Sequence, residues 1–274
     1  MLQTQRYELK YLLDEHTAKG VRDFIQPYLE ADSFGRKQTD LSYPVHTLYL
    51  DSPDLTLHQS TINGDRNRFK LRLRFYEGRE DSPLFCEIKS RRDSVIFKER
   101  CLLHRASLPE ILAGRYPETE RVLDKTKSAE ATVMKFCQRL NELRARPITL
   151  VSYRREAWTG QGHNRVRVTF DREVVTKPEA NGVIKTNDTA GIPVFGRKVV
   201  LELKFTGRFP DWMHDLVQIF QLRQTSAAKY VDGLIRLEER QLLDSSFPRD
   251  GLQAVAAKRG GKTGGLAEFT SHGG

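Results

Sequence analysis

The sequence predicts an α+β fold: a closed antiparallel β-barrel with helices packed on its outside. Three observations lead there. Segments with period-two alternation come in runs joined by short turns, such as GREDSP (78–83) and TGQGHN (159–164), which argues for antiparallel pairing rather than βαβ units. In strand after strand the alternation sets basic residues against aliphatic ones, so one face is cationic and the other apolar. Like charges directly opposed across a sheet destabilise it. Closing the sheet gathers them around a lumen and leaves the apolar face for helices.

Each element follows from its own pattern. RYELKY (6–11) opens as a strand, with Arg6, Glu8 and Lys10 in one phase and Tyr7, Leu9 and Tyr11 in the other. Val21, Phe24, Ile25, Tyr28 and Leu29 keep the i, i+3, i+4, i+7, i+8 spacing of an amphipathic helix. Strands are expected at 46–52, 67–77, 83–90 and 94–103, then a short helix at 107–113. A longer helix at 128–144 aligns Val133, Phe136, Cys137, Leu140 and Leu143 on one face. Strands resume at 148–158, 164–174 and 197–205. Helices near 211–222, with Trp212, Leu216 and Ile219 aligned, and near 226–240 complete the body. Residues 1–244 read as one domain. The last thirty residues hold seven glycines and few aromatics, so 245–274 is expected to be a disordered tail.

Composition narrows the partners. Lys and Arg number 45 against 36 Asp and Glu, a formal charge of +9, which favours anionic partners. Three cysteines, Cys86, Cys101 and Cys137, form no CxxC pair and are odd in number, so neither a disulfide framework nor a zinc site is supported. That usage suits a reducing, cytoplasmic setting. There is no apolar signal region and no apolar run long enough to cross a bilayer, so membrane contact is expected to go through a partner protein. Nucleic acid is not expected: no aromatic RNA-binding motif or recognition helix accompanies the charge.

The chemistry lies in the residues that share the cationic phase. These are Lys70, Arg72 and Arg74; Glu87 and Lys89; Lys98 and Arg100; Tyr153 and Arg155; Arg165, Arg167, Thr169 and Asp171; and Glu202 and Lys204. Between them stand Leu71, Leu73, Phe75, Ile88, Val166, Val168, Leu201 and Leu203. Arginine forks match phosphate oxygens in pairs and lysines add point charges, so a chain of phosphates is the expected ligand. Glu8, Glu87 and Glu202 have two readings. Each is either an oxygen ligand for Mg²⁺ or Mn²⁺ beside the phosphates, or the ion-pair partner of a neighbouring Lys or Arg. The histidines of the body, among them His46, His58, His104, His163 and His214, pair with no motif.

RYELKY, KLRLRFY, EIKS, FKER, YRREAW, RVRVTFD, LELKF and AAKYVDG, in this order, resemble the triphosphate tunnel metalloenzymes of the CYTH-like superfamily, and more closely the VTC domain. That domain is the polyphosphate polymerase of the vacuolar transporter chaperone complex, and the resemblance spans roughly residues 4–240. It implies a closed tunnel that binds ATP or another triphosphate, and polyphosphate, with Mn²⁺ or Mg²⁺. It also implies transfer of the γ-phosphate to the growing chain. Carried over by motif, Lys10, Arg72, Arg74, Lys89, Lys98, Arg155, Arg167 and Lys229 would bind phosphate. Of these, Lys10, Arg72, Arg74, Arg155 and Arg167 would act in catalysis. Lys70, Arg100, Tyr153 and Lys204 would line the same substrate site. Glu202 would hold the metal, with Glu8 and Glu87 as the further candidates.

Two departures stand out. The wider superfamily opens with ExExK, whereas Arg6 replaces the first acid here and favours the VTC-like branch. A KFSK-like clamp before the helix lysine is replaced by Ser226, Ala227, Ala228 and Lys229, which bears on affinity and chain length. A tripolyphosphate or nucleoside triphosphate hydrolase and a non-catalytic polyphosphate or nucleotide sensor would use the same residues.

Overall fold

The computed structural model describes residues 6–76, 82–93, 95–160, 165–182 and 190–243. The expected tail, His163 and most of both turn segments lie outside these residues, and of Arg6 only the backbone is described. The chain runs β1 (Arg6–Leu13), α1 (Glu15–Ile25), β2 (Leu29–Ala31), β3 (Ser42–Asp51), α2 (Thr56–Ile62), β4 (Asn67–Phe75), β5 (Leu84–Arg92) and β6 (Val95–Leu103). It continues through α3 (Leu108–Leu112), α4 (Lys127–Glu142), β7 (Arg146–Gly160), β8 (Val166–Pro178), β9 (Ile192–Pro193) and β10 (Val199–Thr206), and ends in α5 (Asp211–Ile219) and α6 (Lys229–Glu239).

The strands form one antiparallel sheet in the order β1-β10-β8-β7-β3-β4-β5-β6, with β2 added to β7 and β9 to β8. The ends of that order, β1 and β6, are joined by no backbone ladder among the described residues. The sheet is therefore open, and the expected closed barrel is corrected. A ladder needs backbones about 4.8 Å apart. Here a side-chain contact links β1 to β5, the strand next to the far end, Lys89 Nζ lying 3.1 Å from Glu8 Oε2. Alternation of charge and bulk is the same in a curved open sheet as in a closed one, so the sequence did not separate them.

The convex face is apolar and covered by helices, as its pattern requires. Phe136, Val133 and Leu140 of α4 pack on Leu71, Leu73, Cys86 and Ile88. Val21 and Ile25 of α1, with Met213 and Leu216 of α5, pack on Val168, Leu201 and Leu203. Glu156 is fully buried under α1, where it accepts from Arg22 Nε (2.7 Å), Trp158 Nε1 (2.8 Å) and Arg172 Nη1 (2.8 Å).

The last helix departs from the expected outer position. Tyr230, Val231 and Leu234 of α6 join Tyr49, Val151 and Val174, which belong to the concave phase of β3, β7 and β8. Tyr230 stacks on Tyr49 at 4.7 Å and its hydroxyl donates to Asp51 Oδ2 at 2.6 Å. Gly233 permits the approach, because a Cβ there would stand 3.0 Å from Thr176 Oγ1. So α6 fills one end of the concave face and carries Lys229 into it.

Smaller differences have local causes. Asp14 caps α1 by accepting from Thr17 N at 2.8 Å, but the helix stops at Ile25, and Leu29 begins a short strand on the end of β7. The unanticipated α2 lacks an apolar period. Asp51 caps it from the preceding strand, accepting from Leu57 N and His58 N at 2.9 Å each. Among the described residues no helix is long and apolar enough to cross a membrane.

Candidate functional site

Antiparallel register brings the concave-phase residues side by side. Lys10 of β1 pairs with Glu202 of β10, and Glu8 with Lys204. Lys204 pairs in turn with Arg167 of β8, and Arg155 of β7 with Asp171. On the other half Arg72 faces both Tyr49 and Glu87, Lys70 faces Lys89, and Lys89 faces Lys98.

Five carboxylates organise these cations. Glu202 lies 2.5 Å from Lys204 Nζ, 3.1 Å from Lys229 Nζ, 3.6 Å from Lys10 Nζ and 3.7 Å from Arg155 Nη2. Asp171 takes a two-pronged contact from Arg155, at 2.6 and 2.7 Å, and Lys229 at 2.7 Å. Glu8 joins Lys10 (3.2 Å) and Lys89 (3.1 Å). Glu87, fully buried, holds Arg72 (2.7 Å), Lys98 (2.6 Å) and Arg74 (3.7 Å). Asp32 accepts from Arg167 Nη2 (2.8 Å) and the Tyr43 hydroxyl (2.9 Å). The Tyr153 ring lies under both Arg155 and Lys229, 5.2 and 5.1 Å from its centre.

The titration behaviour follows from this crowding. Burial pushes the Glu202, Glu8 and Glu87 carboxyls up, but the surrounding cations outweigh it and hold all three well below the usual range. Burial likewise opposes the charge on Lys229, yet Asp171 and Glu202 win and raise it. Three lysines go the other way. Burial lowers Lys204 to about 8 and Lys98 to about 7 despite their carboxylate partners. Lys70 is driven well below its ordinary value by burial and then by Lys10, Lys89 and Arg72. It has no carboxylate partner among the described residues, only the Tyr230 ring 6.0 Å away. The face thus carries more positive charge than its own carboxylates balance.

Of the residues expected from sequence, Lys10, Glu8, Arg72, Arg74, Glu87, Lys89, Lys98, Tyr153, Arg155, Glu202, Lys204 and Lys229 come together with Lys70 beside them. Arg167 lies at the margin, tied to Asp32. Arg100 is exposed and its guanidinium stacks 5.0 Å over the Phe85 ring instead of joining the carboxylates. Where the KFSK-like clamp is replaced, the Ala227 carbonyl accepts from Lys10 Nζ at 3.0 Å. Sequence reasoning placed Asp171 in the cationic phase without giving it a role, and it did not single out Asp32. Asp171 had a signal, standing in phase with Arg167 and Thr169. Asp32 had none, since it follows a three-residue strand and meets Arg167 only through the fold. His46 lies in the opposite phase of β3, bonded to Ser152 Oγ at 2.8 Å and lowered by burial to about 4.

A solved structure titled "Structure of the Schizosaccharomyces pombe Mediator head module" aligns with 79% of this chain and 91% of its own, at 8% identity and a TM-score of 0.38, too weak a likeness to carry an argument. The family model described as the VTC domain matches residues 5–237, across the strands and the α6 lysine that build the concave face. The chain belongs to the VTC domain family.

Proposed function

We propose that the concave face is a phosphotransfer site that takes a nucleoside triphosphate and moves its γ-phosphate onto the end of a polyphosphate chain. Membership of the VTC domain family supports a polyphosphate-related function. The observation that carries the reading is a run of like charges in direct register: Arg68 against Arg91, Lys70 against Lys89, and Lys89 against Lys98. Such pairs cost stability unless an anion lies between them. With Arg72, the cations of this phase on β4 span about 13 Å to Arg68 at strand spacing, longer than a triphosphate and suited to a chain.

The residues divide the work. Arg72, Arg74 and Arg155 are held by Glu87 and Asp171 with their forks fixed before ligand arrives, which favours charge stabilisation without reorganisation. Lys89, Lys98 and Lys204 share Glu8, Glu87 and Glu202 with other cations, and Lys70 adds a charge with no carboxylate partner among the described residues. Lys10 and Lys229 bracket Glu202. The acceptor is an anionic terminal phosphate oxygen, so no strong base is required, in keeping with the position of His46 on the other face.

A divalent metal here would draw most of its oxygens from substrate. Lys10 Nζ bridges Glu8 Oε1 and Glu202 Oε1, so a metal held by this pair would take the place of that ammonium. Among the described residues no three His, Cys, Asp or Glu side chains form a cage by themselves. Glu202 and Glu8, whose side chains keep some exposure, would hold Mn²⁺ or Mg²⁺ in place of the Lys10 contact, whereas Glu87, fully buried, would orient Arg72 and Lys98. When bound, the ion would neutralise charge on the transferring phosphoryl group.

The test is incubation of the purified chain with ATP and Mn²⁺, followed by sizing of the phosphate products on a gel. Long-chain polyphosphate is the expected product. Free phosphate alone would make the protein a hydrolase, and binding without turnover would make it a sensor; either outcome overturns the polymerase assignment.

A further inference from the structure

The two ends of the concave face differ chemically. One end is filled by α6, with Tyr230 against Tyr49 near the C-terminal end of β3. At the N-terminal end of β3 the same phase turns aromatic. Tyr43, Tyr76 and Phe85 lie there, Tyr43 to Tyr76 at 6.2 Å and Tyr76 to Phe85 at 5.7 Å between ring centres. Phe34, from the β2–β3 connection, stacks on Tyr76 at 5.9 Å with planes 13° apart and touches Tyr43 at 5.7 Å. It remains 53% exposed, a large apolar ring facing solvent.

This aromatic rim is continuous with the cations. The Tyr43 hydroxyl lies 3.4 Å from Arg167 Nη2. Phe85 faces Arg74 in register, and Tyr76 follows Phe75 at the end of the strand that carries Arg72 and Arg74. A ligand with its phosphates among Arg74, Arg155 and Arg167 has its non-phosphate end beside these rings.

We propose that the exposed face of the Phe34–Tyr76 stack is a nucleobase platform. It gives the site a direction, with the base at the aromatic rim and the terminal phosphate toward Lys70 and Lys89. The inference rests on the reading of the concave face as a triphosphate site. Rings offer π-faces to any base, so recognition is by stacking and tolerant of base identity.

Calorimetric titration of the full chain with tripolyphosphate, ATP and GTP tests it, using Phe34→Leu to keep apolar bulk while removing the ring and Phe34→Trp to keep a ring. Phe34→Leu is expected to weaken ATP and GTP roughly fivefold or more, a loss of stacking, while tripolyphosphate affinity stays within about twofold, a change under 0.5 kcal/mol. Phe34→Trp is expected to retain nucleotide binding. Unchanged ATP affinity in Phe34→Leu, or an equal loss for tripolyphosphate, would overturn the platform and leave the triphosphate site standing. Failure of the unaltered chain to bind tripolyphosphate at all would instead bring down the triphosphate reading, and the platform with it.

Discussion

Lys204 shows how a single side chain is tuned by its surroundings. Burial, the largest influence, brings it to about 8; Glu202 and Glu8 favour its charge while Arg155 and Lys89 oppose it. In the free folded protein its charge is lost as pH rises through that value, whereas the unfolded chain keeps it up to about 10.4. Between the two the unfolded chain binds the extra proton, so this lysine makes the free protein more stable as pH rises through the window. A phosphate oxygen beside it favours the charged form. Tripolyphosphate binding is therefore expected to take up protons near pH 8 and to weaken from about pH 7 to about pH 9. Calorimetry in two buffers of different ionisation enthalpy measures both, and a flat profile would place Lys204 away from the phosphates. Asp171 is the opposite case, a buried carboxylate that shares its partners Arg155 and Lys229 with Glu202 alone among the carboxylates described. Asp171→Asn is expected to cost roughly 3 kcal/mol in urea unfolding, because it leaves two buried cations with Glu202 as their one carboxylate. A cost below about 1 kcal/mol would mean that Glu202 alone anchors them.

At the scale of an element, β4 separates binding from folding by alternation alone. Leu71 and Leu73 are buried against α4, while Lys70 and Arg72 face the concavity. Lys70→Met removes a cation that burial and its neighbours already disfavour. The free protein is expected to keep or gain stability, while tripolyphosphate binding weakens by about 1.5–3 kcal/mol, the range of a charge-assisted hydrogen bond. Leu73→Ala is expected to do the reverse, costing about 2–5 kcal/mol of stability with affinity preserved in the folded fraction. Paired denaturation and binding curves check this; a matched loss of stability in both variants would mean that Lys70 is structural. The same β4 register made the concave residues legible in sequence, because period two in a strand leaves no choice of face once the apolar side is covered.

The molecule as a whole is an open sheet held curved by what lies on its two faces. Helices α1, α4 and α5 pad the convex side, α6 fills one end of the concave side, and the Glu8–Lys89 pair links β1 to β5, beside the terminal strand β6. Without a backbone ladder between β1 and β6, that side-chain clasp limits opening. Glu8→Ala is expected to speed amide hydrogen exchange in β1 and β6 while leaving the central β3 and β7 unchanged. Uniform exchange in the variant and the unaltered chain would assign the curvature to the helices alone.

Sequence by itself determined the antiparallel sheet and the gathering of the cations it grouped on β1, β4, β5, β8 and β10 on one face, because alternation is local and the apolar phase must be buried. Tertiary structure alone decided the rest. Whether the sheet closes depends on the distance between two edge backbones that no residue pattern encodes. Asp51 caps α2 from a neighbouring strand, Asp32 reaches Arg167 across the fold, and α6 enters the concave side because Gly233 leaves room beside Thr176. These contacts join residues far apart in the chain, so their energies are settled by where the fold places each partner.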